Sequence, residues 1–357
     1  MRYALIGCGR IARNHMIAAH NNCLELAALC DLVPEKMKQL LDASAFNGAQ
    51  PGFYTDHRTM LAEVKPELVA IATDSGVHAQ IALDCIRAGC HVVIEKPIAM
   101  SIDDARKIAE EARKYGVKVA ACHQNRFNEA CRQMHLAREQ GRFGKLSHGS
   151  IHVRWNRNQN YYDQASWRGK WASDGGALMN QCIHGIDLLQ WMVGSEPVSV
   201  YGVTRQQYHP YLEAEDIGMA VVTFANGVIA TIEGTVNVYP QNLEETLYLF
   251  GETGTVKLGG KATNNIDVWQ FADQGQQDEG LEGKQEVIGN VYGNGHSRLY
   301  ADMLQAIADD REPLINASEG TKALELVLAI YKSQLTGQVV QLPLTDFAST
   351  DMTGYFD

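Results

Sequence analysis

Along the first third of the chain, short, mostly apolar runs alternate with stretches of helical period. Runs at 4–6, 24–30, 68–72, 91–94 and 117–121 have strand length and are apolar apart from Glu25, His91 and Lys118 near their starts, as in strands buried on both faces. Between them, residues 11–20, 34–42, 78–88 and 102–115 carry helix-spaced apolar positions. Ser101 stands ready to cap the last of these helices, with Asp103 and Asp104 in its first turn. Strict strand–helix alternation predicts a parallel, doubly wound sheet.

From about residue 122 the texture changes. A helix at 129–140 and a Gly-Arg-Phe-Gly turn lead to 145–155, which alternates like a strand with one wet face. Further strands are expected at 198–205, 217–224, 227–236, 244–251 and 255–258. Asn226-Gly227 and Glu252-Thr253-Gly254 read as hairpin turns. Consecutive hairpins imply a mostly antiparallel open sheet, hence an α+β second domain. Helices at 295–309 and 318–334 close the chain, and the glycine-rich segment 259–295 reads as a mobile excursion. The expected class is α/β, with a first domain over 1–121 and a second over 122–357.

A chain of 357 residues has ample length for two cores. Its formal net charge of −11 disfavours nucleic acid and anionic membranes as partners. No run is long enough to span a bilayer, and the first strand leaves no room for a signal peptide, so the expectation is a cytoplasmic protein. The eight cysteines form no C-x-x-C pair and no Cys/His cluster of zinc spacing, so no metal is expected.

Chemistry begins in the first strand–helix turn, Gly7-Cys8-Gly9-Arg10-Ile11-Ala12, with Asp31 closing the second strand. Gly7 permits a tight turn, Gly9 admits a pyrophosphate, and the helix N-terminus supplies N–H groups to it. Asp31 falls where a carboxylate binds a ribose 2′-hydroxyl and repels a 2′-phosphate. This Rossmann signature predicts NAD over NADP, although Arg10 is able to reach a 2′-phosphate.

Three further constellations carry candidate chemistry. Glu95-Lys96-Pro97 follows a buried strand at the ligand-binding edge of such a sheet; Lys96 there stabilises a substrate oxygen or is simply a surface lysine. In Gly175-Gly176-Ala177-Leu178-Met179-Asn180-Gln181-Cys182-Ile183-His184, Asn180 and His184 are four apart and share one helix face. His184 suits proton abstraction from a hydroxyl, with Asp187 placed to orient it, but a lone helix histidine is also a common structural residue. The segment 154–171, with Arg154, Arg157, Tyr161, Tyr162, Trp167 and Arg168, suits a sugar nucleotide, or equally an arm packing on a neighbouring subunit.

Together these motifs, with Ala72-Thr73-Asp74-Ser75-Gly76-Val77-His78 and the closing Glu319-Gly320-Thr321-Lys322-Ala323-Leu324-Glu325, resemble the Gfo/Idh/MocA family of NAD(P)-dependent oxidoreductases over essentially the whole chain. The resemblance implies that Thr73, Ser75, His78, Glu95, Lys96 and Gln124-Asn125-Arg126 line the cofactor cleft. It implies that Trp167 and Arg168 reach the nicotinamide end, and that Lys96 and His184 are catalytic. Many members carry Asp where this chain has Asn180, and an asparagine can orient substrate but not titrate.

The variant Met179–His184 block and the tyrosine arm resemble most the sugar-nucleotide branch that includes UDP-N-acetylglucosaminuronate 3-dehydrogenases. The implied activity is hydride transfer from a sugar carbinol, at C3 in that branch, to NAD. Lys96, Arg154, Tyr162, Asn180 and His184 are then the expected substrate contacts. A free-sugar or polyol dehydrogenase of inositol or glucose type, and a non-catalytic NAD-binding sensor, are the alternatives. The family's open sheet implies a homodimer or homotetramer.

Overall fold

The computed structural model of the protein describes residues 1–286 and 295–357. It comprises two compact units, Met1–His123 with His296–Thr321, and Gln124–Gly295 with Lys322–Asp357.

The first unit is built on six parallel strands, β1 (Arg2–Ile6), β2 (Glu25–Cys30), β3 (Gly52–Tyr54), β4 (Leu68–Ile71), β5 (His91–Ile94) and β6 (Val119–Ala121), in the order β3-β2-β1-β4-β5-β6. Their crossovers are α1 (Ala12–Asn21), α2 (Pro34–Asp42), α3 (His57–Val64), α4 (His78–Arg87) and α5 (Ile102–Tyr115). Local sequence sets the helix ends. Ser101 accepts from Asp104 N and Gly116, at φ +66°, stops α5 in the left-handed region. Tyr3, Ala4, Leu5, Val69, Ala70, Val92 and Val93 are fully buried, as expected of a sheet covered on both faces. β3 and α3 were not expected from sequence; β3 has three residues and α3 a single short apolar stripe.

The division expected at 121/122 placed the closing helices in the second domain. The structure returns residues 296–321 to the first unit: Ala121 N donates to Ile315 O, and the hydroxyls of Tyr3 and Tyr300 lie 3.1 Å apart. A return across that span leaves no local signature.

The second unit holds an eight-stranded sheet: β7 (Leu146–Arg154), β8 (Pro197–Arg205), β9 (Ile217–Phe224), β10 (Ile229–Thr235), β11 (Glu244–Gly251), β12 (Gly254–Gly259), β13 (Asn265–Phe271) and β14 (Val340–Gln341), in the order β13-β12-β11-β7-β10-β9-β8-β14. Every adjacent pair is antiparallel except β7 and β10. Helices α6 (Glu129–Glu139) and α7 (Ile183–Val193) belong to this unit; α8 (Gly295–Ala308) lies in the first unit from His296 onward, and α9 (Ala317–Thr336) begins there and carries the chain back into the second. One sheet face is dry: Ile151, Val153, Leu247 and Leu249 are buried where α7 packs on β7 and β11. The other face exposes Tyr201, Val203, Met219, Val221 and Ile229. The segment expected as a mobile excursion contains β13, whose Trp269 and Phe271 side chains are buried; its alternation is masked in the sequence by flanking Gly and polar residues. The remainder of that expectation, 287–294, lies outside the described residues. Among the described residues no helix is long and apolar enough to cross a membrane.

Candidate active site

In the first unit, parallel strands deliver their successors to one carboxyl edge, and backbone bonds lock those successors together. Gly7 N donates to Cys30 O, Ala72 N to Ile6 O, Glu95 N to Ile71 O and Cys122 N to Ile94 O. The glycine loop, Asp31, Thr73 and Glu95-Lys96 therefore share an edge beside the β1–β4 switch point, where such sheets bind dinucleotides. Gly7 has φ +92°, and a Cβ there would lie 2.5 Å from Ala72 O; no other residue type fits. At Gly9, by contrast, a Cβ would meet nothing within 4 Å, leaving a cradle at the start of α1. No side chain caps α1; Ala12 N donates to Gly9 O and Asn14 N to Ile11 O, and the positive end of the helix dipole, flanked by Arg10 and Ile11, favours phosphate there. Asp31 is held rigidly: Cys8 N donates to Oδ2 at 2.8 Å and Val33 N to Oδ1 at 2.9 Å. The residues fit a dinucleotide whose ribose meets Asp31.

Beyond the loop, Thr73 and Lys96 are half-buried, and Ser75 and His78 are buried. His78 bridges the edge, with Nδ1 2.8 Å from Pro97 O and Nε2 3.3 Å from Thr73 O. Burial lowers the His78 pKa, the bonded carbonyls opposing that shift. Glu95 is buried beneath Lys96. Burial alone would raise its pKa, but His15 and His296, whose Nε2 atoms lie 3.1 and 3.3 Å from Oε1, hold it well below the usual carboxylate range. His15 Nδ1 in turn meets Tyr300 OH at 2.7 Å. With Cys122, these side chains bring four potential metal-ligating atoms within 4.8 Å of one another. The hydrogen bonds already satisfy the carboxylate. Sequence spacing missed this cluster because its members, 15, 95, 122 and 296, come from four separate elements.

In the second unit, Asn180 and His184 sit where chain geometry changes. Residues Leu178–Cys182 form a π-helical turn that runs into α7, whose second residue is His184. A wider turn of this kind is frequent at functional sites. Its start is fixed by Glu215, whose Oε1 accepts from Leu178 N at 2.8 Å and Tyr331 OH at 2.9 Å. Gly176, at φ +90°, passes so close to Glu215 that a Cβ would sit 1.7 Å from Oε2. His184 is 7% exposed. Both oxygens of Asp187, expected to orient it, accept from Arg126, at 2.8 Å from Nε and 2.7 Å from Nη2, so Arg126 anchors α7 from the turn Gln124–Phe127 in which Gln124 is also buried. Asn180 donates through Nδ2 to Asp174 Oδ1 and accepts from Gln181 Nε2 at 2.7 Å; Gln181 Nε2 also reaches Tyr161 OH at 2.9 Å. Asp174 Oδ2 accepts from Gly169 N at 2.6 Å, tying the Trp167-Arg168 loop to Asn180.

The aromatic arm divides in two. Arg154, expected on substrate, is spent inside the sheet: Nε and Nη2 bond Glu233 and Nη1 bonds Glu244, at 2.5–2.7 Å. Its side chain stands on the solvent face of β7 because the period of two puts 150, 152 and 154 there. Tyr162 is buried, its ring against His209 and Tyr211. Arg157, Tyr161 and Arg168 instead form a half-buried group, discussed below. Asp174, Gln181, Tyr161 and Arg157 had no distinguishing sequence spacing toward Asn180.

Residues 1–123 match the family described as "Oxidoreductase family, NAD-binding Rossmann fold", and 139–342 match its C-terminal alpha/beta domain. The structure is similar to the WlbA dehydrogenase from Bordetella pertussis, solved with NADH and UDP-GlcNAcA, at TM-score 0.86 and 38% identity over 96% of this chain and 99% of that one. It is likewise similar to WlbA from Chromobacterium violaceum, solved with the same ligands, at TM-score 0.87 and 35% identity over 96% of both chains. D-glucoside 3-dehydrogenase from Escherichia coli is 26% identical over 96% of this chain and 97% of that protein.

Proposed function

The chain belongs to the Gfo/Idh/MocA oxidoreductase family, and from that premise we propose that it is an NAD-dependent dehydrogenase of a nucleotide sugar bearing a uronic acid, oxidising a ring carbinol such as C3. The observation that carries this reading is the similarity over nearly full length, at 38% and 35% identity, to two enzymes solved with UDP-GlcNAcA. A free-sugar dehydrogenase is the second reading, favoured by the likeness to D-glucoside 3-dehydrogenase.

In this reading NAD, when bound, would supply the hydride acceptor for the sugar carbon. His184 takes the hydroxyl proton, so alcohol and NAD become ketone, NADH and one proton. Lys96, which follows β5, donates a hydrogen bond to the same oxygen and stabilises its developing negative charge. Asn180, oriented through Asp174, holds a neighbouring hydroxyl. Thr73, Ser75, His78, Glu95, Gln124 and Trp167 complete the cofactor site. The exposed row Tyr201, Val203, Met219, Val221 and Ile229 fits a second copy of the chain in a homo-oligomer.

The test is a panel of UDP-N-acetylglucosaminuronate, UDP-N-acetylglucosamine, glucose and myo-inositol with NAD, followed by absorbance of the reduced nicotinamide. Turnover of the nucleotide uronate supports the reading; turnover of the free sugars alone replaces it with the second.

A further inference from the structure

Arg157 and Arg168 flank a single ring. Their guanidinium carbons lie 5.1 and 4.0 Å from the centroid of Tyr161, and each also stacks on an indole, Arg157 on Trp155 at 5.0 Å and Arg168 on Trp167 at 4.8 Å. The rings hold both planes in fixed orientation.

Like charges gathered on one ring call for a counter-charge, and the described residues supply none. Arg157 spends Nη1 on Asn156 O and Asn242 Oδ1, both neutral acceptors. Arg168 forms no ion pair among the described residues, and the Nε of each arginine is buried without an acceptor. Arg126, Arg142 and Arg154 in the same unit are each paired with carboxylates, so acids are not scarce. A buried guanidinium N–H without an acceptor is costly, and an anion supplies the missing acceptor together with the missing charge.

The pair is also wired to the catalytic helix. Tyr161 OH accepts from Gln181 Nε2, which donates as well to Asn180 Oδ1. An anion that contacts the two guanidiniums is thus registered against the residue that positions the sugar.

We propose that Arg157 and Arg168, organised by Tyr161, form a subsite for an anionic group of the sugar substrate, a carboxylate or a phosphate, and so make this dehydrogenase selective for anionic sugars. This rests on the sugar-dehydrogenase reading above and deepens it. It also moves Arg168 from the cofactor, where the resemblance put it, to the substrate.

The test compares wild type with Arg157→Gln, Arg168→Gln and the charge-retaining Arg157→Lys. Thermal shift is recorded with UDP alone and with glucuronate alone, KM with the nucleotide uronate, and Kd for NADH by fluorescence. The expected result is a rise in KM of about 10-fold or more for each Gln variant, as for loss of a charged hydrogen bond, with NADH affinity within about twofold. A loss of the UDP shift identifies phosphate as the occupant; a loss of the glucuronate shift identifies the carboxylate. Equal losses for NADH and sugar, or unchanged KM in folded variants, overturn the proposal. If wild type turns over neutral sugars only, the substrate reading falls. The subsite then stands or falls separately on whether UDP or glucuronate shifts wild type and not the Gln variants. Arg157→Lys guards against misfolding: it keeps the charge, and recovery of part of the lost affinity shows that charge acts there.

Discussion

Asn180 donates its side-chain amide to Asp174, six residues earlier, and Asp174 accepts Gly169 N with its other oxygen. One buried carboxylate therefore fixes which end of the Asn180 amide is donor and which is acceptor, and joins it to the loop carrying Arg168. A carboxylate one hydrogen bond behind an asparagine gives orientation without a titrating group at position 180.

Asp174→Asn is expected to lower kcat by about 10-fold or more, since the amide loses a charged acceptor. Exchanging the pair, Asp174→Asn with Asn180→Asp, restores part of the loss and adds an acidic limb to the kcat/KM profile. A double variant no better than the single one would mean that Asp174 only holds the loop.

His184→Ala and Lys96→Ala are each expected to lower kcat by about 100-fold or more, the usual weight of general acid–base catalysis. NADH binding should persist in the His184 variant, since His184 is assigned to the substrate hydroxyl and not to the cofactor. Stopped-flow hydride transfer separates this from slow product release. Near-normal single-turnover rates in His184→Ala would remove it as the base.

Much of this was legible in the sequence, for physical reasons. The first sheet is read easily because parallel strands are mostly apolar runs and their helices carry capping residues such as Ser101. The cofactor edge is read from Gly7 and Asp31, since backbone geometry demands one and ribose chemistry the other. What escaped depends on register and on long-range return. Arg154 looked like a phosphate ligand until its strand register placed it beside Glu233 and Glu244. Residues 296–321 belong to the first unit through contacts to Tyr3 and Ala121 that no local pattern announces. The π-helical turn at Leu178–Cys182 shifts the face that a regular helix would present.

Asp31 should decide between NAD and NADP. Its carboxylate is held at both oxygens by Cys8 N and Val33 N, so it cannot swing away from a 2′-phosphate. Asp31→Ala is expected to weaken NAD by about 10-fold and to narrow the NAD-to-NADP preference in kcat/KM, through loss of a charged hydrogen bond and of repulsion. An unchanged ratio would move ribose recognition elsewhere, with Arg10 the neighbouring group to examine.

The cluster of His15, Glu95, Cys122 and His296 is expected to act as a hydrogen-bonded brace under Lys96, because Glu95 Oε1 already accepts from both imidazoles. Chelator dialysis should leave Tm and turnover unchanged, and elemental analysis should find less than about 0.1 zinc per chain. A Tm lost to chelator and regained with zinc would instead make the four donors a metal site of a familiar N, O and S type.

Glu245 gives the protein a pH-dependent stability of definite sign. It lies at the start of β11, buried, with no hydrogen-bond partner for either carboxylate oxygen. Burial pushes its pKa up to about 8. Glu215, buried at the head of the π-helical turn, is shifted the same way, well above the usual value, by burial that outweighs its bonds from Leu178 N and Tyr331 OH. Between the ordinary carboxylate pKa of about 4.3 and about 8 the folded chain keeps the Glu245 proton while the unfolded chain releases it. The unfolded state then binds fewer protons, so stability is fullest below that window and falls as pH rises through it. For one such group the loss across the whole window is on the order of 5 kcal/mol. Urea midpoints of wild type should therefore fall between about pH 5 and pH 8. Glu245→Gln, which keeps the shape and cannot ionise, should flatten that part of the curve and overtake wild type at its alkaline end. Parallel curves for the two proteins would mean that Glu245 is ionised in the fold and has found a cation.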